Sequence, residues 1–101
     1  MQLGTKKLLY DIQQAAESAS GFLTGKSFMD YESDALLRSG EERQFEIMGE
    51  AINRLSKKII SFRNILIHGY ADIDNRLVWN VIEIKLPLLL KEVRQLSMQP
   101  E

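Results

Sequence analysis

Apolar residues in this 101-residue chain recur at intervals of three and four, and no stretch alternates apolar and polar residues as a half-buried strand would. Only six glycines and two prolines interrupt this pattern. The spacing therefore predicts an all-α protein. The length fits one domain covering residues 1–101, which we expect to be an up-and-down bundle of four to five helices.

The pattern divides into three main helices. The predicted ranges are 5–23, 33–55, and 72 or 74 to 96. Ser27 is placed to cap a short turn between the first two. Pro87 should kink the last helix, because proline lacks a backbone N–H and clashes with the preceding turn. The predicted packing stripes are Leu8, Leu9, Ile12, Ala15, Ala16, Ala19, Phe22 and Leu23; then Phe45, Met48, Ile52 and Leu55; then Leu77, Val78, Val81, Ile82, Leu86, Leu89, Val93 and Leu96.

Carboxylates recur every four residues along the second helix, at Glu42, Glu46 and Glu50. We interpret this row as a solvated helix face, with Glu50 and Arg54 forming an ordinary ion pair. A catalytic pair of carboxylates is the alternative. Trp79 also has two interpretations, since it either joins the core or covers a neighbouring chain.

The charge composition excludes some classes of protein. Lys and Arg number 13 against 14 Asp and Glu, which argues against a uniformly basic protein that coats nucleic acid. The absence of cysteine excludes disulfide scaffolds and thiolate nucleophiles. The apolar runs are too short to span a bilayer, so the expected location is the cytoplasm.

The charges are nevertheless unevenly distributed. Residues 51–71 contain basic side chains and no acid, whereas residues 30–50 contain seven acids and two arginines. A basic patch in the first range would attract a phosphate backbone, and the acidic range is suited to a basic partner. A mixed solvated surface is the alternative interpretation.

The segment 59–70 holds the one histidine of the chain, His68. At about 100° per residue, Asn64 and His68 share a face away from the apolar residues of the segment, and Tyr70 falls beside Arg63. Histidine transfers protons near neutral pH, and arginine clamps phosphate, so the set suits phosphodiester chemistry. A structural histidine is the alternative. A single histidine among scattered carboxylates predicts no metal site.

Ile60 and Ile67 lie seven residues apart on the same segment, away from its predicted core face. Exposed isoleucines two turns apart indicate a partner surface. If two copies pair there, both His68 side chains approach a shared cleft, so we expect a homodimer.

The ordered set Arg63-Asn64, His68 and Tyr70 resembles the Arg, four residues, His, one residue, Tyr signature of HEPN domains, and more narrowly the HepT-like toxin branch. The flanking sequence agrees with this resemblance over almost the whole chain. Its matching parts are Ile47-Met48-Gly49-Glu50-Ala51, Ile73-Asp74, Leu77-Val78-Trp79 and Leu86-Pro87.

The resemblance implies a dimeric HEPN-like helical bundle that acts as a metal-independent endoribonuclease. His68 would act as general base or acid for attack by the RNA 2′-hydroxyl, Arg63 would bind the phosphate, and Asn64 would orient the site. It also implies the toxin half of a toxin–antitoxin module, with a minimal nucleotidyltransferase as antitoxin that silences the nuclease by AMP transfer to Tyr70. The alternative is a non-catalytic HEPN-like module that binds a nucleotidyltransferase or a nucleotide.

The chain departs from the family at one junction. Members usually have a longer connector after the segment matching Arg54-Leu55-Ser56, whereas Ser56-Lys57-Lys58-Ile59 runs straight through here. Read as one helix, Glu41 to His68 would form a rod of about 42 Å, which is long for a bundle of this size. We therefore expect the connector near 57–58 to be shortened or missing.

Overall fold

A computed structural model describes residues 3–55 and 75–99 of the chain, and within these residues it contains helices and no strand. The helices are α1 (Leu3–Phe22), α2 (Phe28–Ser33), α3 (Ala35–Arg54), α4 (Asn75–Asn80) and α5 (Leu86–Ser97), with a π-helical segment (Val81–Lys85) joining the last two. The predicted all-α, HEPN-like helical fold is confirmed.

The core forms around α1, which packs against both α3 and α5. The predicted stripes supply all of its buried apolar side chains except Tyr31 and Ala51. The buried apolar side chains are Leu9, Ile12, Ala15, Ala16, Ala19, Leu23, Tyr31, Phe45, Met48, Ala51, Val78, Val81, Ile82, Leu86, Leu89 and Val93. Phe22 was predicted in the stripe of the first helix, but its side chain is 40% exposed. Phe22 is the last residue of α1, and its ring lies at the edge of the core against Gly40 of α3.

The short helix α2 begins with the cap that the sequence predicts. Gly25 adopts the left-handed conformation with φ of 77°, which lets the chain reverse after α1. Ser27 then accepts a hydrogen bond from the backbone N–H of Asp30, and the Asp30 carboxylate accepts one from the N–H of Ser27, which is a capping box. Asp34 directly follows α2 and caps α3, because its carboxylate accepts a hydrogen bond from the backbone N–H of Leu37.

The last helix changes type before its proline. Within the π segment the hydrogen bonds span five residues, and the N–H of Leu86 donates to the carbonyl of Val81. Pro87 follows in the first turn of α5. In a regular α-helix the ring of Pro87 would clash with the backbone carbonyl of Glu83, four residues earlier. Here Glu83 lies within the π segment, whose turn is wider than that of an α-helix. The irregularity predicted at Pro87 thus begins six residues earlier, at Val81. The predicted caps Asp72 and Asp74 lie outside the described residues.

None of the helices in the described ranges is long and apolar enough to cross a membrane.

Candidate functional site

The predicted catalytic residues Arg63, Asn64 and His68 and the predicted modification site Tyr70 lie between 56 and 74, outside the described residues. The two isoleucines proposed as a partner surface and the connector near 57–58 lie there too. What the structure describes is the helix that leads into this segment and the helix that follows it.

The helix that leads into the segment ends cleanly. α3 stops at Arg54, and Leu55 has extended backbone dihedrals, φ −75° and ψ 139°. The helix therefore does not continue as a straight rod through Leu55. In its last turns the Arg54 guanidinium lies 2.9 Å from the Glu50 carboxylate, which confirms the predicted ion pair.

A surface cleft of about 170 Å³ lies between the first turns of α1 and the last turns of α3. Its lining residues are Leu8, Asp11, Ile47, Glu50, Ala51 and Arg54. Each of its two carboxylates already has a basic partner on its own helix, with Asp11 at 2.6 Å from Lys7 and Glu50 paired with Arg54. This pairing favours the solvated-face interpretation over a catalytic pair of carboxylates.

The acidic range 30–50 presents fewer free carboxylates than its composition indicates. Asp30 and Asp34 cap helices, and a backbone hydrogen bond from Ser27 lowers the pKa of Asp30. Glu46 lies 3.6 Å from Arg43. Glu50 is paired with Arg54 as well, so most of these carboxylates cap a helix or form an ion pair within one. Fewer unpaired carboxylates therefore remain to bind a basic partner.

Trp79 packs within its own chain. Its ring centroid lies 6.0 Å from that of Phe28 and 6.0 Å from that of Tyr31. The guanidinium of Arg76 lies over the Phe28 ring at 3.8 Å from its centroid, which is a cation–π geometry. Of the two interpretations of Trp79, the structure supports partial burial against the core, where it ties α4 to α2.

Sequence reasoning missed Glu41. Its side chain is 0% exposed, and neither carboxylate oxygen has a hydrogen-bond partner among the described residues. Burial raises the pKa of the Glu41 carboxyl to about 8. The signal was present in the spacing, because Glu41 precedes Phe45 and Met48 by four and seven residues and so occupies the same helix face.

Comparison with known protein families assigns the chain to one of them. The family model described as ribonuclease HepT-like matches residues 12–62 and 56–96, which together span most of the chain. The chain belongs to the HepT-like ribonuclease family. The resemblance carried by residues 63–70 and their flanks is thereby confirmed at the level of the family.

Relatives of this HepT-like protein have corresponding names. It is 30% identical to "Putative RNase MJ1380" of Methanocaldococcus jannaschii, with 87% of this chain and 92% of the relative aligned. It is 31% identical to "Putative RNase TTE0752" of Caldanaerobacter subterraneus, with 87% and 89% aligned. It is 24% identical to "Putative RNase MJ0127" of Methanocaldococcus jannaschii, with 90% and 85% aligned. No solved structure matches the chain.

The HepT-like family model matches the chain in two segments rather than one. Its two ranges overlap at residues 56–62, which include the junction where the sequence predicts a shortened connector. The alignment with the first of these relatives spans 100 positions but takes up only 87% of the 101 residues here. The relative therefore has residues that this chain lacks.

Proposed function

We propose that this HepT-like protein is a metal-independent endoribonuclease with Arg63 and His68 as its catalytic residues. The observation that carries the proposal is that the family match covers residues 56–96 and so includes the Arg63, Asn64, His68 and Tyr70 set. The names of the relatives support it at the level of RNase activity.

The proposed reaction is an internal transfer at one phosphodiester. His68 as a neutral imidazole takes the proton of the RNA 2′-hydroxyl, whose oxygen attacks the adjacent phosphorus. The bond from phosphorus to the 5′-oxygen breaks, leaving a 2′,3′-cyclic phosphate. The departing 5′-oxygen takes a proton from an acid, for which a second His68 supplied by a dimer is suited.

Arg63 supplies charge in this scheme, and Asn64 orients the phosphate. A guanidinium stabilises the negative charge that develops on the phosphoryl oxygens. Of the basic residues in 51–71, Arg54 is already paired with Glu50. Lys57, Lys58 and Arg63 then remain as the residues to attract the RNA backbone.

The test is cleavage of a mixed RNA pool by the purified protein in the presence of EDTA. We expect cleavage by the wild type, products ending in 2′,3′-cyclic phosphate, and no cleavage of a substrate with a 2′-deoxy sugar at the cut site. His68→Ala and Arg63→Ala should each lower the rate at least about 100-fold. Arg43→Ala is the matched control, because Arg43 is exposed on α3 and pairs there with Glu46.

Equal cleavage by the wild type and His68→Ala would refute the catalytic role of His68. No cleavage by a folded wild type, together with binding of a nucleotidyltransferase, would instead favour the non-catalytic module. Circular dichroism of each variant separates a lost activity from a lost fold.

We further propose that this nuclease is the toxin of a two-gene module and that a minimal nucleotidyltransferase silences it by transferring AMP to Tyr70. The phenolic oxygen attacks the α-phosphorus of ATP, pyrophosphate leaves, and the phenol proton passes to a base. On the helical wheel Tyr70 falls beside Arg63, so the added phosphate would occupy the proposed substrate site.

Tyrosine variants test this silencing by intact mass after incubation with the transferase and ATP. Wild type and Tyr10→Phe should gain the mass of one adenylyl group, which is AMP less one water, since Tyr10 is a tyrosine 57% exposed on α1 and serves as the control. Tyr70→Phe should gain none and should stay active. Silencing of Tyr70→Phe as complete as that of the wild type would remove the proposal.

The proposed nuclease acts in the cytoplasm as a homodimer. Sedimentation at tens of micromolar should give twice the 11.6 kDa chain mass. A monomer at that concentration would contradict the shared cleft.

A further inference from the structure

Glu41 is the buried charged residue of the described core. Its side chain is 0% exposed on the inward face of α3, in line with Phe45 and Met48. Buried carboxyl groups normally have hydrogen-bond partners, and both oxygens here lack one among the described residues. Burying a carboxylate without a partner is so costly that the group keeps its proton instead.

Among the described helices, the charged groups near Glu41 do not offset its burial. On α2 the phenol of Tyr31 is buried, and its pKa is raised to about 12, first by burial and then by the charge of Glu41. On α3 the neighbouring charged residues are Glu42 and Arg38, and Arg38 donates to the backbone carbonyl of Glu32. In the second half of α1 the ionisable residue is Glu17, which lies 3.6 Å from Arg94.

Among the described helices, α1 and α2 pack against α3, and α2 is the shorter of the two. It is six residues long, whereas α1 and α3 have twenty each. Its ends are two short connections, the turn containing Gly25 and the single extended residue Asp34. A single helix of this length has little stability of its own, so it is held by its cap and by packing of Tyr31 and Phe28.

We propose that α2 is a proton-controlled flap, which stays docked on α3 while the Glu41 carboxyl keeps its proton and opens together with the release of that proton. Opening admits water to Glu41 and returns it to its ordinary ionisation. The device needs no ligand and does not depend on the nuclease proposal.

The pH interval follows from proton linkage. The docked state holds Glu41 with a pKa of about 8, and the open state returns it to about 4.5. Between these two values the open state binds fewer protons, so the equilibrium constant for opening rises about tenfold per pH unit. It levels off above about pH 8.

Native-state hydrogen exchange measures this opening. The probes are the amide of Tyr31, which donates to the carbonyl of Ser27, and that of Asp34, which donates to the carbonyl of Tyr31. At each pH from 5 to 8 the exchange rate in the wild type is divided by that in Glu41→Gln, which cancels the intrinsic base catalysis of exchange. We expect the ratio to rise about tenfold per pH unit. Glu42→Gln, an exposed neighbour, should keep the wild-type slope.

Denaturant separates a flap from unfolding of the whole chain. In low urea the α2 amides should exchange at a rate independent of urea, because a small opening exposes little surface. The amide of Val93, a residue 0% exposed in α5, should be better protected and should respond steeply to urea. The proposal fails if the wild type shows no pH slope, if Glu41→Gln keeps the slope, or if the α2 amides follow Val93 in protection and urea response.

Discussion

Replacing Ser27 with alanine removes one side of the capping box that starts α2. The Ser27 hydroxyl accepts from the Asp30 N–H at 3.2 Å, while the Asp30 carboxylate accepts from the Ser27 N–H at 2.9 Å. Loss of an N-cap side chain costs about 1 kcal/mol, within a range of roughly 0.5–2. Because α2 has six residues, it has no further turns over which to share that cost.

The assay is urea unfolding followed by the fluorescence of Trp79, the one tryptophan of the chain, which contacts Phe28 and Tyr31 of α2. A loss of about 1 kcal/mol should lower the urea midpoint by roughly 0.3–1 M, since the unfolding free energy of a small protein falls by about 1–3 kcal/mol per molar urea. Ser33→Ala is the matched control, because Ser33 ends the same helix and its hydroxyl donates to the carbonyls of Met29 and Asp30, whereas Ser27 accepts from a backbone N–H of the first turn. We expect it to change stability by less than about 0.5 kcal/mol.

Asp30, the other side of the capping box, provides a second test. The hydrogen bond from the Ser27 N–H lowers the pKa of Asp30, so its contribution is present above its ordinary value of 3.8 and is lost as pH falls through the lowered pKa. Ser27→Ala and Asp30→Ala should therefore be non-additive. Equal losses from Ser27→Ala and Ser33→Ala, or full additivity with Asp30→Ala, would show that the box does not hold α2.

Three further predictions concern stability measured by urea unfolding. Glu41→Leu should stabilise the protein by about 3 kcal/mol at pH 7. The pKa of Glu41 is about 8 in the folded protein against 4.5 ordinarily, so the free energy of unfolding of the wild type falls as pH rises between those values. A smaller gain at pH 7 than at pH 5 would contradict this sign. Leu89→Ala, at a site 0% exposed, should cost about 2–5 kcal/mol, whereas Leu88→Ala, at a site 52% exposed, should cost under about 1 kcal/mol. Glu50→Gln should change stability by no more than about 0.5 kcal/mol, because the ion pair of Glu50 with Arg54 is exposed. A larger loss would contradict the interpretation of this contact as an ordinary surface ion pair.

The helices were predictable because burial and helical spacing reinforce each other. Ile12 and Ala16, or Phe45 and Met48, lie on one face and are buried together. The cap at Ser27 was predictable because it depends on residues next to it in sequence. Such local rules need no knowledge of the other helices.

The misses have a common cause. Periodicity arguments assign a charged residue to solvent, so the burial of Glu41 was overlooked although its spacing placed it on the core face. The π segment depends on how the last helix meets α1, which a single-helix pattern does not contain. The proposed site at Arg63 and His68 rests on motif and family alone, since its residues lie outside the described ranges.

The π segment also bears on how the last helix of this chain can change in length. Val78, Ile82 and Leu86 are buried at steps of four, and in a regular α-helix each such step turns the stripe by about 40°. Because a π-helical turn contains more residues than an α-helical turn, each step of four rotates the stripe by less. The π segment therefore accommodates one additional residue in the helix without a loop. A one-residue deletion within Val81–Lys85 should therefore be better tolerated than one in α5.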